Sequence, residues 1–260
     1  EPEWPHLEIV YLILIQMQVN FPNLLKYEFC RSFFTVFNSS DENERNELIH
    51  FFIEYIKVRS EFRNDLMKDL SNLLNMHIEL SDRPFVVLTV LPIFKEICML
   101  SEQLNFGEYD KEIKTSIIPL LRDKYSFYFI PLIDDILSYY SDENPQNARL
   151  IVEYLLKYWP QTSTTKQSYY TTFLAEMLHE LNQEDLRHFL RPVLKLFESE
   201  IVSTSPKLAE SSLTNLEQII ESFGEEANET ILEIMIPPIM RSVNDHWWDG
   251  IREEAKQIMT

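Results

Sequence analysis

His179 and Glu180 stand side by side, Asp134-Asp135 and Glu225-Glu226 are paired carboxylates, and Cys30 and Cys98 are the two thiols. These side-chain types supply general acids and bases, metal ligands and nucleophiles. Their spacing here assembles none of those. His179-Glu180 is not continued into the H-E-x-x-H pattern that puts two imidazoles on one helix face. None of His6, His50, His77, His179, His188 and His246 stands at metal-ligand spacing from a second histidine or a cysteine. There is no Gly-x-Ser-x-Gly elbow, no phosphate-cradling glycine loop and no Cys-x-x-Cys. The paired carboxylates read as helix faces or first turns, where the positive end of the helix dipole favours Asp and Glu. The histidines read as solvated or hydrogen-bonded surface groups. The chain is expected not to be an enzyme and to need no cofactor or metal.

Composition narrows the partners. A net charge of −19 disfavours nucleic acid and anionic membranes and is compatible with a basic partner. Tyr125, Phe127, Tyr128 and Phe129, and again Tyr169-Tyr170, could stack nucleobases, but in so acidic a chain they read as packing between helices. Trp247-Trp248 could form a contact hot spot, one ring packed inside and the other exposed. The apolar run 9–15 is too short to cross a bilayer. Cys30 and Cys98 each sit in an apolar run, as buried free thiols do in a reducing compartment. No signal peptide is visible, and the expected location is the cytoplasm or the nucleus. The chain starts at Glu1 rather than methionine, which suggests a fragment.

The elements that would position these residues are helices. The run 155–167 holds the repeating unit: Leu155, Leu156, Tyr158 and Trp159 close an apolar helix, and Pro160 stops it. Gln161 to Thr165 make a polar corner whose hydroxyls can cap the next helix. Apolar positions at three- and four-residue spacing predict helices over 4–19, 24–37, 41–56, 62–74 and 82–97, the last ended by Asn105-Phe106-Gly107. They continue over 113–121, 125–140, 147–159, 167–181, 185–200, 206–222 and 226–243, with one more after Asp245. Ser40 or Asp41 should cap the third. With only 3 glycines and no sustained strand alternation, the pattern argues for helices rather than hairpins. Prolines recur among aliphatics early in helices, at Pro119, Pro131, Pro192 and Pro237. The expected fold is all-α: a single domain, 1–260, forming a curved α-solenoid of degenerate HEAT/armadillo-like helix pairs.

Several stretches carry a family likeness: Trp4-Pro5-His6-Leu7, Asp41-Glu42-Asn43-Glu44-Arg45, Leu155 to Pro160 with Thr162, Ile234 to Pro238, and His246-Trp247. They stand in family order across nearly the whole chain, and the Lys-Tyr-Trp-Pro run is the most specific. The chain resembles the B-prime (fifty-six kilodalton) regulatory subunits of protein phosphatase 2A, in an N-terminally shortened form. The resemblance implies a non-catalytic subunit that binds the scaffold and catalytic subunits of the phosphatase. It would select substrate proteins by a short Leu-x-x-Ile-x-Glu segment held in a groove. By the same resemblance the groove positions fall on Ile53, Ile56, Arg63, Ile93 and Ile97. Ile53 and Glu54 stand where the family has a His-Arg pair, Ile56 where it has a tyrosine, and Pro92 where it has a glutamate. Gly107 and Asp110 stand near a family lysine and histidine. With cations lost and a carboxylate gained, recognition of the glutamate-bearing motif is expected to be weakened. Lys157, Trp159, Pro160, Lys166, His246 and Trp247 are the candidates for subunit contact. The competing reading is a free-standing HEAT-repeat interaction scaffold with an altered peptide groove.

Overall fold

The computed structural model describes residues 4–21, 23–80, 82–100 and 106–259, with backbone alone at Trp4, Pro5 and Phe106. Pro22 and Asn105, expected to break helices, lie outside the described residues. The α-helices are α1 (Trp4–Asn20), α2 (Tyr27–Arg31), α3 (Glu42–Val58), α4 (Arg63–Leu80), α5 (Pro84–Met99), the one-turn α6 (Asp110–Glu112), α7 (Ile130–Glu143) and α8 (Pro145–Lys157). They continue as α9 (Thr164–His179), α10 (Gln183–Ile201), α11 (Pro206–Thr214), α12 (Leu216–Phe223), α13 (Asn228–Asp245) and α14 (Asp249–Ile258). No strand occurs among the described residues. The all-α expectation of paired helices holds. The helices gather into two compact units, residues 1–136 and 137–260.

In the first unit α3 packs against α1 and α5, and α4 against α5. Leu48, Phe51, Phe52, Tyr55 and Ile56 recur at helical spacing on α3, and all are completely buried. The aromatic rings among them meet those of the preceding segment: Phe33–Phe51 at 5.3 Å, Phe37–Phe52 at 5.2 Å edge to face, and Tyr27–Tyr55 stacked at 6.5 Å. Asp41 caps α3, its Oδ1 accepting the Asn43 amide at 2.9 Å. Cys30 and Cys98 are both buried free thiols.

Two predicted helices of the first unit come out differently. The 24–37 segment is one α-turn, α2, followed by a 3-10 turn (Ser32–Val36). Ser32 Oγ donates to the Phe29 carbonyl and Thr35 Oγ1 to the Ser32 carbonyl, so hydroxyls compete there with the α-helical ladder. The 113–121 segment is a π-turn (Ile113–Ile117) running into a 3-10 turn (Ile118–Arg122). Pro119 has no amide proton for an α-helical bond and displaces the turn before it.

In the second unit α8, α10 and α13 form one layer, and α9, α11–α12 and α14 form the other. Each helix packs on its neighbour in the pair and on its equivalent in the next pair, which is how stacked helical repeats bury a continuous core. The predicted 206–222 helix is divided at Asn215, whose Nδ2 donates to the Ser211 carbonyl at 2.7 Å and to Thr172 Oγ1 at 3.2 Å. Gly224, at φ +71°, takes the backbone out of α12 in a conformation costly for other residues.

Candidate partner-binding corners

The resemblance-derived groove positions lie in the first unit. Ile56, Ile93 and Ile97 are wholly covered by α3–α5 packing, so the surface there comes from the partly exposed Ile53 and Arg63. Arg63, the first residue of α4, sends Nε toward the Ile56 carbonyl and Nη1 toward the Leu100 carbonyl, each at 3.4 Å. Those carbonyls belong to the C-terminal ends of α3 and α5, where a cation is favoured. Two anions close in sequence are engaged elsewhere: Glu54 pairs with Lys57, and Glu61 with Arg59.

The subunit-contact candidates lie in the second unit, at the α8–α9 and α13–α14 corners. At the first, Lys157 projects outward with its Nζ 5.1 Å from the Tyr158 ring centroid. Trp159 turns inward. Its indole lies edge-on to Tyr170 at 5.9 Å, and its Nε1 donates to Glu200 Oε1 at 3.2 Å. Pro160 and Lys166 are partly exposed, and the Lys166 ammonium stands 5.5 Å from the Tyr170 ring. Ser163 Oγ accepts the Lys166 amide at 3.3 Å and caps α9, the role expected of a corner hydroxyl.

The α10–α11 corner adjoins it. Lys207, one residue past Pro206, lies 5.4 Å above the Tyr169 ring of α9. The α13–α14 corner is fastened to this one by two side chains. His246 Nε2 lies 3.1 Å from the Ser203 carbonyl, while its Nδ1 accepts the Trp248 amide at 3.2 Å. That arrangement fits the tautomer with its proton on Nε2. Trp247 Nε1 donates to the Thr204 carbonyl at 3.0 Å. His246 is therefore buried and structural, whereas Trp247 keeps 65% of its surface exposed. A pocket of about 150 Å³ opens beside it, with Arg241 and Asp245 on its wall. One end of the unit thus collects exposed Tyr158, Tyr169, Trp247 and Trp248 with Lys157, Lys166 and Lys207.

Beneath the corners is a residue absent from the sequence-derived candidates. Glu200 is 2% exposed and joins four segments. Besides Trp159 on Oε1, its Oε2 receives the Thr171 and Ser212 hydroxyls, each at 2.9 Å. Burial raises its carboxyl to about 7, more than the Thr171, Ser212 and Trp159 hydrogen bonds lower it. The signal was present: Glu200 follows Phe197 by three residues and precedes Ile201, on the inward stripe of α10. His77 was missed in the same way. It follows Leu70 and Leu74 on α4, is fully buried, and places Nε2 3.1 Å from Asp123 Oδ2. One member of each paired carboxylate is used in a cross-link, Asp135 with Lys95 and Glu226 with Arg187, both at 2.6 Å.

The family described as "Protein phosphatase 2A regulatory B subunit (B56 family)" matches residues 1–260. The chain belongs to the B56 family. It is 22% identical to the serine/threonine-protein phosphatase 2A 56 kDa regulatory subunit delta 2 isoform of Schizosaccharomyces pombe, over 100% of this chain and 43% of that protein. It is also 22% identical to the kappa isoform of the 57 kDa phosphatase 2A regulatory subunit of Arabidopsis thaliana, over 95% of this chain and 51% of the relative. The phosphatase 2A regulatory subunit pptr-1 of Caenorhabditis elegans is likewise 22% identical, over 95% of this chain and 47% of its own length. The chain spans about half the length of these B56 relatives. None of the described helices is long and apolar enough to cross a membrane.

Proposed function

We propose that this chain acts as a non-catalytic regulatory subunit of a protein phosphatase 2A holoenzyme, binding the scaffold and catalytic subunits and bringing substrate proteins to them. B56 membership supports the assignment, and the collection of cations and exposed aromatics on adjoining corners carries it into residues. In a chain of net charge −19, Lys157, Lys166 and Lys207 lie over Tyr158, Tyr170 and Tyr169, and Trp247 is fastened to Thr204 at the corner that carries Lys207. Exposed aromatic and basic groups on a rigid frame are what a subunit interface uses as anchors. Contact then falls to Lys157, Pro160, Lys166 and Trp247, while Trp159 and His246 hold the corners in shape. The peptide groove makes the smaller contribution: Arg63 is turned to backbone carbonyls, and the Leu-x-x-Ile-x-Glu motif binds weakly. The test is a titration of immobilised scaffold subunit with the wild-type chain and with Lys157→Glu/Lys166→Glu. Tenfold or greater weakening, steeper at low salt, supports the reading; equal affinities overturn the assignment of the corner.

A further inference from the structure

We infer that the cavity between α12 and α14 is a docking groove for a basic amphipathic helix of a partner protein, its aliphatic face on the floor and its lysines or arginines at the walls. The inference does not rest on the function proposed above, because the groove shares no residue with the α8–α9 and α13–α14 corners.

The groove follows from the packing of α14, which rests on α11 and α13. Between α14 and α12 a cavity of about 660 Å³ is left, a size ordinary for a binding cleft. Leu213, Leu216 and Ile220 recur at three- and four-residue spacing along α11–α12 and make its floor, and Ile258 of α14 lines the other side. Leu213 and Leu216 are almost wholly buried, whereas Ile220 is partly exposed and Ile258 is exposed. Covering these two aliphatic side chains removes apolar surface from water, which favours an apolar occupant.

The walls select the charge of that occupant. Glu217 and Glu221 stand one turn apart on α12, both exposed, and neither has an ion-pair partner among the described residues. Glu254 lines the groove from α14, its Oε1 accepting the Thr214 hydroxyl at 3.0 Å. Burial raises its carboxyl above the ordinary glutamate range, against the Thr214 hydrogen bond, and the charge of Glu210, one turn before Thr214, raises it further. No cation lines the cavity. The two basic residues of α14 are committed, Arg252 to Asp249 and Lys256 to Glu253, and α12 has none. A ligand that brings cations relieves the repulsion among these carboxylates, and one that brings leucines or isoleucines covers the floor. A helix with aliphatic residues at i, i+3 and i+4 and basic residues beside them does both. The eight residues of α12 span about 12 Å, so two to three turns of the partner fill the groove. The same carboxylates repel nucleic acid and anionic lipid, and a second copy of this chain would bring a further charge of −19 against them.

The experiment is fluorescence anisotropy of the whole chain with a labelled helical peptide of about fourteen residues, leucine at every third or fourth position and lysine beside it, and with a twin carrying glutamate for lysine. The expected result is saturable binding of the lysine peptide and none of the twin. Glu217→Lys/Glu221→Lys should weaken binding tenfold or more. Glu229→Lys/Glu233→Lys, the same change of net charge on exposed positions of α13, should change it twofold or less. Ile220→Ser should weaken it severalfold, with urea unfolding run alongside to show that each variant folds. Lys157→Glu/Lys166→Glu should leave it unchanged, so failure of the groove and failure of the corner are read separately. No binding by the wild type, or equal weakening by both charge reversals, overturns the proposal. So does displacement of the peptide by spermine at equal concentration, which would reduce the groove to a charge cluster, or a dimer by light scattering that excludes the peptide, which would make the occupant a second copy.

Discussion

Arg63 Nη1 lies 3.4 Å from the carbonyl oxygen of Leu100, 37 residues away along the chain. One guanidinium thereby serves the ends of two helices, α3 through Ile56 and α5 through Leu100. A cation committed to helix ends is poorly placed to receive a glutamate from a bound peptide. Fluorescence anisotropy with a labelled Leu-x-x-Ile-x-Glu peptide should give weak binding that Arg63→Ala leaves within about twofold, a difference of roughly 0.4 kcal/mol. The same substitution should lower stability by about 1 kcal/mol in urea unfolding, as loss of long carbonyl contacts implies. Micromolar peptide binding abolished by Arg63→Ala would show instead that the side chain swings to the ligand.

Stability should fall as pH rises through the range that ionises Glu200. Its folded carboxyl is raised to about 7, above the ordinary glutamate value of 4.5. The folded protein therefore holds a proton that the unfolded chain releases, and by linkage folding is favoured at low pH. The contribution is fully present below the unfolded value, declines as pH rises, and is gone above the folded one. The difference amounts to roughly 2–4 kcal/mol. Denaturant midpoints measured from pH 5 to 8 should drop for wild type by more than for Glu200→Gln; parallel curves would contradict this.

His246 fastens one corner to the next, so its loss should be felt away from its own helix. His246→Ala leaves the Ser203 carbonyl and the Trp248 amide without that ring, at a cost of about 1–3 kcal/mol. Hydrogen exchange should quicken at 203–205 and at the start of α14, with little change on α9. Uniform acceleration across both units would mean that the ring has no local role.

The aromatic cluster of the first unit should behave as a close-packed core. Phe52 is completely buried and meets Phe34, Phe37 and Phe51 at 5.7, 5.2 and 5.3 Å. Phe52→Ala should cost about 3–5 kcal/mol by urea unfolding. Phe127→Ala, on an exposed ring, should cost under about 0.5 kcal/mol.

Helix existence was legible in the spacing of apolar residues, because Leu48, Phe51, Phe52, Tyr55 and Ile56 can share a buried face only on a helix. Caps were legible to within a residue or a corner: Ser40 or Asp41 for α3, where Asp41 serves, and a hydroxyl of the 161–165 corner for α9, where Ser163 serves. The failures came where side chains compete with the backbone: Ser32 and Thr35 shorten α2, Pro119 distorts the 113–121 turn, and Asn215 divides α11 from α12. Of the contact candidates, Lys157 and Trp247 are exposed, while Trp159, which the sequence also allows as a residue packed between helices, and His246 turn inward. Those orientations depend on Glu200 and Ser203, which are distant in sequence. Glu200 and His77 stood on inward stripes and were passed over because charged and ionisable side chains are ordinarily read as solvated.

The most direct measurement is size-exclusion chromatography of the chain mixed with purified phosphatase 2A scaffold and catalytic subunits, with light scattering to count components. The expected result is a single three-component peak, which Lys157→Glu/Lys166→Glu breaks into the scaffold–catalytic pair and a free chain. Separate elution of the wild-type chain, with the other two subunits still joined, would contradict the assignment as a regulatory subunit.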